Sequence, residues 1–263
     1  MKKRSDKTLS VMMKAALAGG RVLRRYFGKA IAVETKSTTA DFRTDADLGS
    51  EKAVIRILEK AFPKYNIVSE EMGERGKGSE FTFVLDPLDG TNNFVLGIPF
   101  FSVSMCLISD HVIRAAVVYD PMRKRLFTAV RGGGAYCNGK KIRVNQQADL
   151  RHATLAYIAP YGNTPEVECD FVRPFFAAGI KRMLTLWTPA LDFCMLAEGK
   201  IEAILHSGSE FYDYAAGRLI AKEAGAKMTT FQGDVNHSDE HRQFIASNGT
   251  QVHDRLLEIL KNR

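Results

Sequence analysis

The sequence predicts an α+β protein built from stacked layers of helix and sheet. Two patterns lead to this prediction: short β-rich apolar runs follow one another over 100–144, and strands alternate with helices after residue 150. The composition agrees, because 45% apolar and 25% charged residues over 263 positions are typical of a chain with a sizeable packed core. Disordered, collagen-like and fibrous classes are therefore excluded.

We predict two subdomains, because the pattern of the chain changes near residue 146. Single hydrophobic cores seldom grow beyond about 250–300 residues, so a chain of this length permits one large domain or two modest ones. Residues 1–146 would form an N-terminal α+β subdomain with most of the candidate functional residues. Residues 147–263 would form a C-terminal α/β subdomain.

The first half is predicted to begin with an amphipathic helix. Apolar residues between Leu9 and Phe27 recur at steps of three and four, and Gly28 is placed to end the helix. The later elements follow from alternating or β-rich runs and from turn residues. In order they are a strand over 32–36, a loop or hairpin tip over 37–45, a helix over 47–62, strands over 66–69 and 81–85 around a mobile connection over 73–78, and an antiparallel meander over 100–144.

The second half is predicted to alternate strands with helices. The predicted strands cover 153–158, 181–186, 201–205, 227–230 and 243–246. The predicted helices cover 167–178, 189–197, 212–225 and the residues from 251 onward.

The net charge of +7 is concentrated at the N-terminus. Residues 1–29 hold nine basic residues against one acidic residue, a charge of +8, which leaves −1 for the other 234 residues. A basic protein invites a nucleic-acid interpretation, but here the excess belongs to one helix. Lys14 interrupts the apolar stretch and no apolar run reaches the roughly 18 residues of a membrane span, so neither a secretory signal nor a transmembrane helix is expected. The four cysteines are scattered without a CxxC pair, which favours reduced thiols and a cytoplasmic location.

Two carboxylates stand three residues apart in the segment 86–94, which reads DPLDGTNNF. A strand is expected to deliver Asp86 at its end, and Pro87 stiffens the exit. Asp89 and Gly90 then turn the chain into a short helix. Carboxylates at a strand end suit a hard cation such as Mg²⁺, and backbone N–H groups at a helix start suit a phosphate. Taken alone, the segment also fits an ordinary turn.

Further acidic residues lie at the ends of other predicted elements. Glu70 and Glu71 follow a strand, Asp45 and Asp47 flank the start of the second helix, and Asp213 opens a later helix. Each has a structural alternative, because the glutamates could form a solvated turn and each aspartate could cap a helix. Five or six carboxylates that converged without a metal would repel one another strongly, so a cluster of them would imply cation binding.

These segments together resemble the inositol monophosphatase family of Mg²⁺-dependent phosphatases. The resemblance rests on the glutamate pair at 70–71, on DPLDGTNNF at 86–94 and on YDYAAG at 212–217, in that order and at family-like spacing. The usual family forms are Glu-Glu, D-P-[IL]-D-G-T-x-N-[FY] and W-D-x-A-A-G. The match extends over nearly the whole chain and implies the layered αβαβα sandwich of these sugar phosphatases.

The resemblance implies a metal centre with two or three Mg²⁺ ions. Glu70, Asp86 and the main-chain carbonyl of Leu88 would hold the first ion. Asp86, Asp89 and Asp213 would hold the second. The residue types suit the chemistry, because two such ions can stabilise both the entering and the departing oxygen of a phosphoryl transfer.

The resemblance also implies the catalytic and substrate-binding residues. Thr91 would activate the attacking water, helped by Asp47 and Glu70, with Asp47 near a third and weaker metal position. Substrate contacts are implied for Gly90, Thr91, Asp89 and Asp213.

The sequence departs from the inositol-specific pattern on the substrate side. His206 stands where such members carry an acidic residue, seven positions before the last aspartate, and we expect it to contact substrate. Trp187 stands where the family favours a glycine, and its indole could narrow or line the pocket; both residues could instead serve in packing. Tyr212 replaces the usual tryptophan, which is a milder change. Lys36 is a candidate for phosphate contact or a solvated surface lysine.

Two hypotheses of different classes follow. The first is a cytoplasmic phosphomonoesterase that hydrolyses inositol 1-phosphate or a similar small polyol or sugar phosphate. Its alternatives are fructose 1,6-bisphosphate, 3′-phosphoadenosine 5′-phosphate, NADP and histidinol phosphate. The family implies lithium sensitivity and a homodimer. The second is an RNA- or polymerase-binding accessory protein that uses the basic N-terminal helix; nucleic acid is not favoured as a partner, and a membrane is not expected.

Overall fold

Seven α-helices and two large sheets make up the part of the chain that the structure describes. The structure is a computed structural model and describes residues 2–36, 42–235 and 237–262. The helices are α1 Lys2–Tyr26, α2 Asp45–Ala61, α3 Thr91–Val95, α4 Pro165–Ala177, α5 Pro189–Ala197, α6 Phe211–Glu223 and α7 Gln251–Lys261. The strands are β1 Val33–Thr35, β2 Phe42–Thr44, β3 Asn66–Ser69, β4 Gly73–Arg75, β5 Phe81–Asp89, β6 Ser102–Ser109, β7 Val112–Asp120, β8 Arg125–Val130, β9 Gly134–Cys137, β10 Lys140–Lys141, β11 Thr154–Ile158, β12 Arg182–Leu184, β13 Ala203–His206, β14 Lys227–Thr230 and β15 Phe244–Ser247.

The two sheets differ in their strand directions. The eight-stranded sheet has the order β10-β9-β8-β7-β6-β5-β3-β4 and is antiparallel except for the parallel pair of β3 and β5. The five-stranded sheet has the order β12-β11-β13-β15-β14, in which β11 is parallel to both of its neighbours. β1 and β2 form a separate antiparallel pair. The predicted meander and the predicted change of pattern after it are therefore both present.

Apolar side chains bury both faces of each sheet. α1 and α2 cover one face of the eight-stranded sheet, where Val54 packs in the same core as Phe83. α5 and α6 fill the space between the sheets, where Phe193 and Leu219 share a core with strands of both. α4 and α7 cover the outer face of the five-stranded sheet. The layers run helix, sheet, helix, sheet, helix, which confirms the predicted αβαβα sandwich.

Helix α1 lies unusually close to its neighbours at two adjacent glycines. A Cβ atom on Gly19 would stand 2.6 Å from the Ser50 hydroxyl of α2, and one on Gly20 would stand 2.5 Å from the Tyr119 ring of β7. The Ser50 hydroxyl donates a hydrogen bond to the carbonyl of Pro87, at 2.8 Å. The close packing of α1 on α2 therefore supports the end of β5, where the two conspicuous aspartates lie.

Strand β5 is longer than the predicted 81–85, because it continues beyond Leu85 across a bulge. Asp86 lies opposite Ser104 of β6, and pairing resumes with Asp89 opposite Ser102. Pro87 stands inside the irregularity, where its missing N–H is tolerated.

Other differences from the sequence-based expectations are local. The mobile connection predicted over 73–78 is wrong for residues 73–75, which form β4 and pair with β3 after Gly73 turns the chain at φ +68°. The loop or hairpin tip predicted over 37–45 is wrong for residues 42–45, because 42–44 form β2 against β1 and Asp45 begins α2; residues 37–41 lie outside the described residues. The subdomain boundary near residue 146 stays a prediction. Within the described ranges, no helix combines the length and the hydropathy that crossing a bilayer requires.

Candidate active site

The end of β5 buries both of its aspartates. Asp86 and Asp89 are 3% and 2% exposed. The Leu88 N–H donates to Asp86 Oδ1 at 2.8 Å, and the Ser102 hydroxyl donates to Asp89 Oδ2 at 2.9 Å. The bulge therefore fixes both carboxylates on one strand end, as the spacing of the motif predicts.

Gly90 is required by the turn that follows β5. Its φ is +97°, and a Cβ atom there would stand 2.2 Å from Thr188 Cγ2 and 3.2 Å from the Phe100 carbonyl. Only glycine adopts this conformation without strain and fits this space. The turn delivers Thr91 as the first residue of α3.

The Thr91 hydroxyl and the Asp47 carboxylate meet although 44 residues separate them. Thr91 Oγ1 lies 3.1 Å from Asp47 Oδ1 and 3.0 Å from the carbonyl oxygen of Leu88. Asp47 Oδ2 accepts hydrogen bonds from the N–H and the hydroxyl of Thr44, at 2.8 and 2.5 Å, and so closes the capping box of α2. Burial raises the pKa of Asp47 to about 6. The structure thus brings together the hydroxyl and the carboxylate that were expected to activate water.

Glu70 and Glu71 at the end of β3 are held by a lysine from the β1–β2 hairpin. Lys36 Nζ lies 2.8 Å from Glu70 Oε1 and also donates to Glu71. Burial alone would lower the pKa of Lys36, but the charges and hydrogen bonds of the two glutamates outweigh it and raise that pKa. Burial raises the pKa of Glu71 to about 7. Lys36 is thus paired with both glutamates and, as it lies here, is not free to meet a phosphate.

Asp213 is held by the first turn of α6. The Glu210 N–H donates to Asp213 Oδ2 at 2.9 Å. Glu210 in turn accepts two hydrogen bonds from the Arg242 guanidinium, at 2.9 and 2.8 Å. Asp213 therefore combines the capping role and the site position that the sequence left as alternatives.

The carboxylates of three elements perturb one another strongly. Burial, followed by the charges of Glu70, Asp89 and Asp213, raises the pKa of Asp86 well above its ordinary value. Burial and the charge of Asp213 likewise raise the pKa of Asp89. Burial and the charge of Glu70 raise the pKa of Asp213. The Asp86 and Glu70 carboxyls also lie within hydrogen-bond reach of each other. Such a cluster requires protons or cations to offset its charge.

The donor set fits a hard divalent cation, because Glu70, Asp86, Asp89 and Asp213 all offer carboxylate oxygen. Within the ranges that the structure describes, no three acidic, histidine or cysteine side chains form a ready metal cage. In this arrangement several carboxylate oxygens accept hydrogen bonds from Ser102, Glu210 and Lys36.

Glu70, Asp86, Asp89, Thr91 and Asp213 line one cavity of about 980 Å³, whereas Asp47 is fully buried and is not among its lining residues. Its wall also includes three residues that the sequence did not single out, namely Tyr161, Asp192 and Arg242. Asp192 is 1% exposed, burial raises its pKa well above the ordinary value, and its Oδ1 has no hydrogen-bond partner among the described residues. No sequence pattern pointed to Asp192, which stands three residues after a proline in an apolar helix.

The expectation that His206 contacts substrate is corrected. The ring is fully buried, is stacked 4.7 Å from Phe244, and bonds the Arg242 carbonyl through Nδ1. The Ser209 hydroxyl, 3.0 Å from His206 Nε2, is also within reach of Asp213. The physical reason is that β13 directs residue 206 into the core between the sheets, so His206 borders the site only through Ser209.

The layered fold and the buried carboxylates at the end of β5 define a phosphatase-type α+β protein. Comparison with known proteins gives the particular group. The chain belongs to the inositol monophosphatase family, whose profile matches residues 4–263.

Its relatives carry two kinds of name. The chain is 36% identical over 231 residues to Nus factor SuhB of Pasteurella multocida, covering 86% of this chain and 85% of that protein. It is 35% identical over 260 residues to a fructose-1,6-bisphosphatase/inositol-1-monophosphatase of Aquifex aeolicus, covering 97% and 96%. The crystal structure of the extragenic suppressor protein suhB from Bartonella henselae superposes with a TM-score of 0.90 at 34% identity, covering 97% and 98%.

Proposed function

We propose that this protein is a Mg²⁺-dependent phosphomonoesterase that hydrolyses a small polyol or sugar phosphate, with inositol 1-phosphate as the first candidate. The observation that carries the proposal is the convergence of Glu70, Asp86, Asp89 and Asp213, whose mutual repulsion and burial call for cations. Two or three Mg²⁺ ions would be held by these side chains and by the carbonyl of Leu88. Bound Mg²⁺ would polarise the phosphoryl oxygens and lower the pKa of a bound water.

The protein groups around Thr91 supply a path for the proton of the attacking water. The Thr91 hydroxyl donates to Asp47, which leaves its oxygen lone pairs free to accept a hydrogen bond from water. A carboxylate with a pKa of about 6 is well matched to a general base at neutral pH. Glu70 would assist as a second acceptor. Phosphate and leaving-group contacts are proposed for Gly90, Thr91, Asp89 and Asp213.

A phosphate-release assay tests this function. We expect Mg²⁺-dependent turnover of inositol 1-phosphate, inhibition by Li⁺, and a loss of roughly a thousandfold or more in kcat/KM for Asp86→Asn. Asp254→Asn, the same change on the exposed face of α7, is the matched control and should leave turnover unchanged. Undiminished activity of the Asp86→Asn variant would refute the site.

The choice of substrate is open to direct comparison. The relative from Aquifex aeolicus carries a name that joins fructose 1,6-bisphosphate with inositol 1-phosphate. 3′-Phosphoadenosine 5′-phosphate, NADP and histidinol phosphate complete the panel. The highest kcat/KM identifies the substrate class.

A second candidate function is an RNA- or polymerase-binding accessory role, which the name Nus factor of several relatives suggests. The supporting observation is a basic surface on α1. Lys7, Lys14 and Arg21 recur every seven residues and so share one face, which Arg24 and Arg25 extend; all five are exposed. After Asp6 the helix contains no acidic residue to neutralise this face.

Salt-dependent RNA binding tests the second role. Neutralising Arg21, Arg24 and Arg25 to glutamine should weaken binding and reduce the slope of log K against log salt by about two to three. Neutralising the exposed Lys124, Lys140 and Lys141 of the meander is the control with the same change of charge. Equal effects of the two triple variants would argue against a specific α1 surface.

We also propose a cytoplasmic homodimer. The end of α3 and the loop after it expose apolar side chains at Val95, Leu96 and Ile98, with exposed fractions of 37%, 69% and 44%. Exposed apolar clusters of this kind mark interaction surfaces. Light scattering should find a dimer that Leu96→Glu dissociates and that Val235→Glu, a change at another exposed apolar residue, does not.

A further inference from the structure

Three features of Trp187 together suggest a role other than packing in the core. It is the only tryptophan of the chain. Its backbone has φ +56°, a left-handed conformation that bulky residues rarely adopt. Its side chain is 45% exposed, so burial does little to offset the strain. Strain of this kind that persists beside a cavity points to a functional role for the residue.

The backbone on both sides of Trp187 is fixed to the loop that follows β5. Asn93 Nδ2 of α3 donates to the Leu186 carbonyl at 2.7 Å. Thr188 is fully buried, and its methyl group occupies the space in front of Gly90. α5 begins at the next residue, a proline with restricted φ. The backbone that carries the indole is therefore fixed at the cavity wall, next to the turn proposed to receive phosphate.

A second exposed aromatic side chain lines the same cavity. Tyr161 is 54% exposed. Of the three exposed aromatic residues in the described ranges, Tyr161 and Trp187 line the cavity and Phe176 does not. A cavity of about 980 Å³ is at the upper end of the range for small-ligand sites and has room beyond a bare polyol phosphate.

We propose that Trp187 is a specificity-determining residue that stacks on a flat aromatic ring in the leaving group of the substrate. The inference rests on the proposed phosphatase function and narrows its substrate class to nucleoside monophosphates. Base stacking on an aromatic side chain is tolerant of base identity and stabilises a complex substantially. The buried position of His206 agrees with this class, because the acidic side chain expected to bind polyol hydroxyls is absent from the cavity wall.

AMP and ribose 5-phosphate form a matched pair of probes, because they share the phosphate ester and differ in the base. With Mg²⁺ we expect kcat/KM for AMP to exceed that for ribose 5-phosphate by about ten- to a hundredfold. Trp187→Ala should remove this preference while retaining turnover of ribose 5-phosphate, and Trp187→Phe should preserve most of it. An equal kcat/KM for the two substrates in the wild-type protein, or a preference that Trp187→Ala leaves intact, overturns the proposal.

Fluorescence of the sole tryptophan gives a readout that does not depend on turnover. AMP should quench the Mg²⁺-loaded protein when the indole is excited at the red edge of its band, whereas ribose 5-phosphate should not. The quenching should be independent of protein concentration, which separates it from burial of the indole by a second copy. Quenching by AMP without phosphate release would refute the proposed phosphatase function and support stacking on Trp187. Phosphate release without quenching and without a preference for AMP would support the phosphatase function and refute the stacking.

Discussion

At the scale of single residues, Gly90 shows how strongly one position can limit the site. Gly90→Ala must hold a left-handed backbone and place a Cβ atom 2.2 Å from Thr188 Cγ2. We expect a loss of about 3 kcal/mol in the free energy of unfolding, from roughly 1–2 kcal/mol of backbone strain plus the clash. Urea unfolding measures the loss.

Gly28→Ala is the matched control for that prediction. Gly28 has φ +75°, and nothing lies within 4 Å of the added Cβ. It should show the backbone strain alone, about 1–2 kcal/mol. If the two variants are equally stable, the crowding at Gly90 has no energetic weight.

His206 predicts how stability depends on pH. Burial lowers the pKa of His206 from 6.5 to about 3, so the folded state binds fewer protons than the unfolded state. The stability associated with the neutral ring is complete above pH 6.5 and is lost as the pH falls toward 3, by about 1.4 kcal/mol per pH unit. Urea unfolding between pH 7 and roughly pH 4.5 measures this slope.

Relative to the wild-type protein, His206→Gln should lower the acid slope by about 1.4 kcal/mol per pH unit, and a similar part due to His253, whose pKa burial lowers to about 4, should remain. His111→Gln, at a side chain that is 87% exposed, is the control with the same substitution outside the core. An unchanged slope in His206→Gln would contradict the neutral buried ring.

The residues of the site were predictable to different degrees from the sequence. Asp86, Asp89 and Asp213 belong to local motifs, and the structure places them in one cavity. The contact of Thr91 with Asp47 spans 44 residues and was reached through the family resemblance. His206 was misjudged because its orientation depends on which face of β13 meets α6, and a four-residue strand of alternating exposure cannot be distinguished from a doubly buried one by pattern alone.

At the scale of elements, the two adjacent glycines of α1 set a limit on helix packing. Alanine normally stabilises a helix by about 1 kcal/mol relative to glycine. Gly20→Ala should nevertheless destabilise the protein by about 1–3 kcal/mol, because its Cβ would stand 2.5 Å from the Tyr119 ring and 3.1 Å from Pro121. Thermal unfolding measures the change.

Ser10→Ala provides the comparison, since Ser10 lies on the exposed side of the same helix. There the higher helix propensity of alanine acts without a clash, and we expect a slight gain in stability. A gain of similar size for Gly20→Ala would mean that α1 can move away from β7 freely.

The helices were predicted well because their apolar periodicity and end signals are local. α5 begins and ends where the sequence predicted, at Pro189 and Ala197. β4 was missed because a three-residue strand of glycine, glutamate and arginine carries no β pattern, and its pairing with β3 is its reason to be extended. The extension of β5 to Asp89 likewise depends on its partner β6.

At the scale of the whole molecule, the candidate metal ligands come from elements far apart in the layers. Asp86 and Asp89 belong to the eight-stranded sheet, and Asp213 to the helical layer between the sheets. Binding to the folded state alone adds about 2.7 kcal/mol when Mg²⁺ is present at 100 times its Kd. For a chain of this size we expect Tm to rise by roughly 5–10 °C.

Calorimetry with and without Mg²⁺ tests this, with NaCl at equal ionic strength as the reference. Asp89→Asn should lose most of the rise, since it removes one charge from the cluster. If the rise in Tm persists in this variant, or if NaCl reproduces it, Mg²⁺ does not act by binding to this carboxylate cluster.

The arrangement of the layers was accessible from the sequence only in outline. Alternation of strands and helices predicted stacked layers, but the order β12-β11-β13-β15-β14 depends on long-range pairing that no local pattern encodes. α5 and α6 share one core with strands of both sheets, so the two predicted subdomains would be in contact along this helical layer.

The capping boxes at Asp47 and Asp213 affect how the history of the family is interpreted. Both carboxylates begin a helix, so natural selection for a stable fold alone would preserve them in a descendant that no longer hydrolyses anything. Glu70 and Asp86 cap no helix, and they repel each other in the folded protein. A relative that no longer hydrolyses phosphate esters would therefore be expected to lose Glu70 or Asp86 first. The presence of both residues in one chain is a better indicator of retained catalysis than the presence of Asp47 and Asp213.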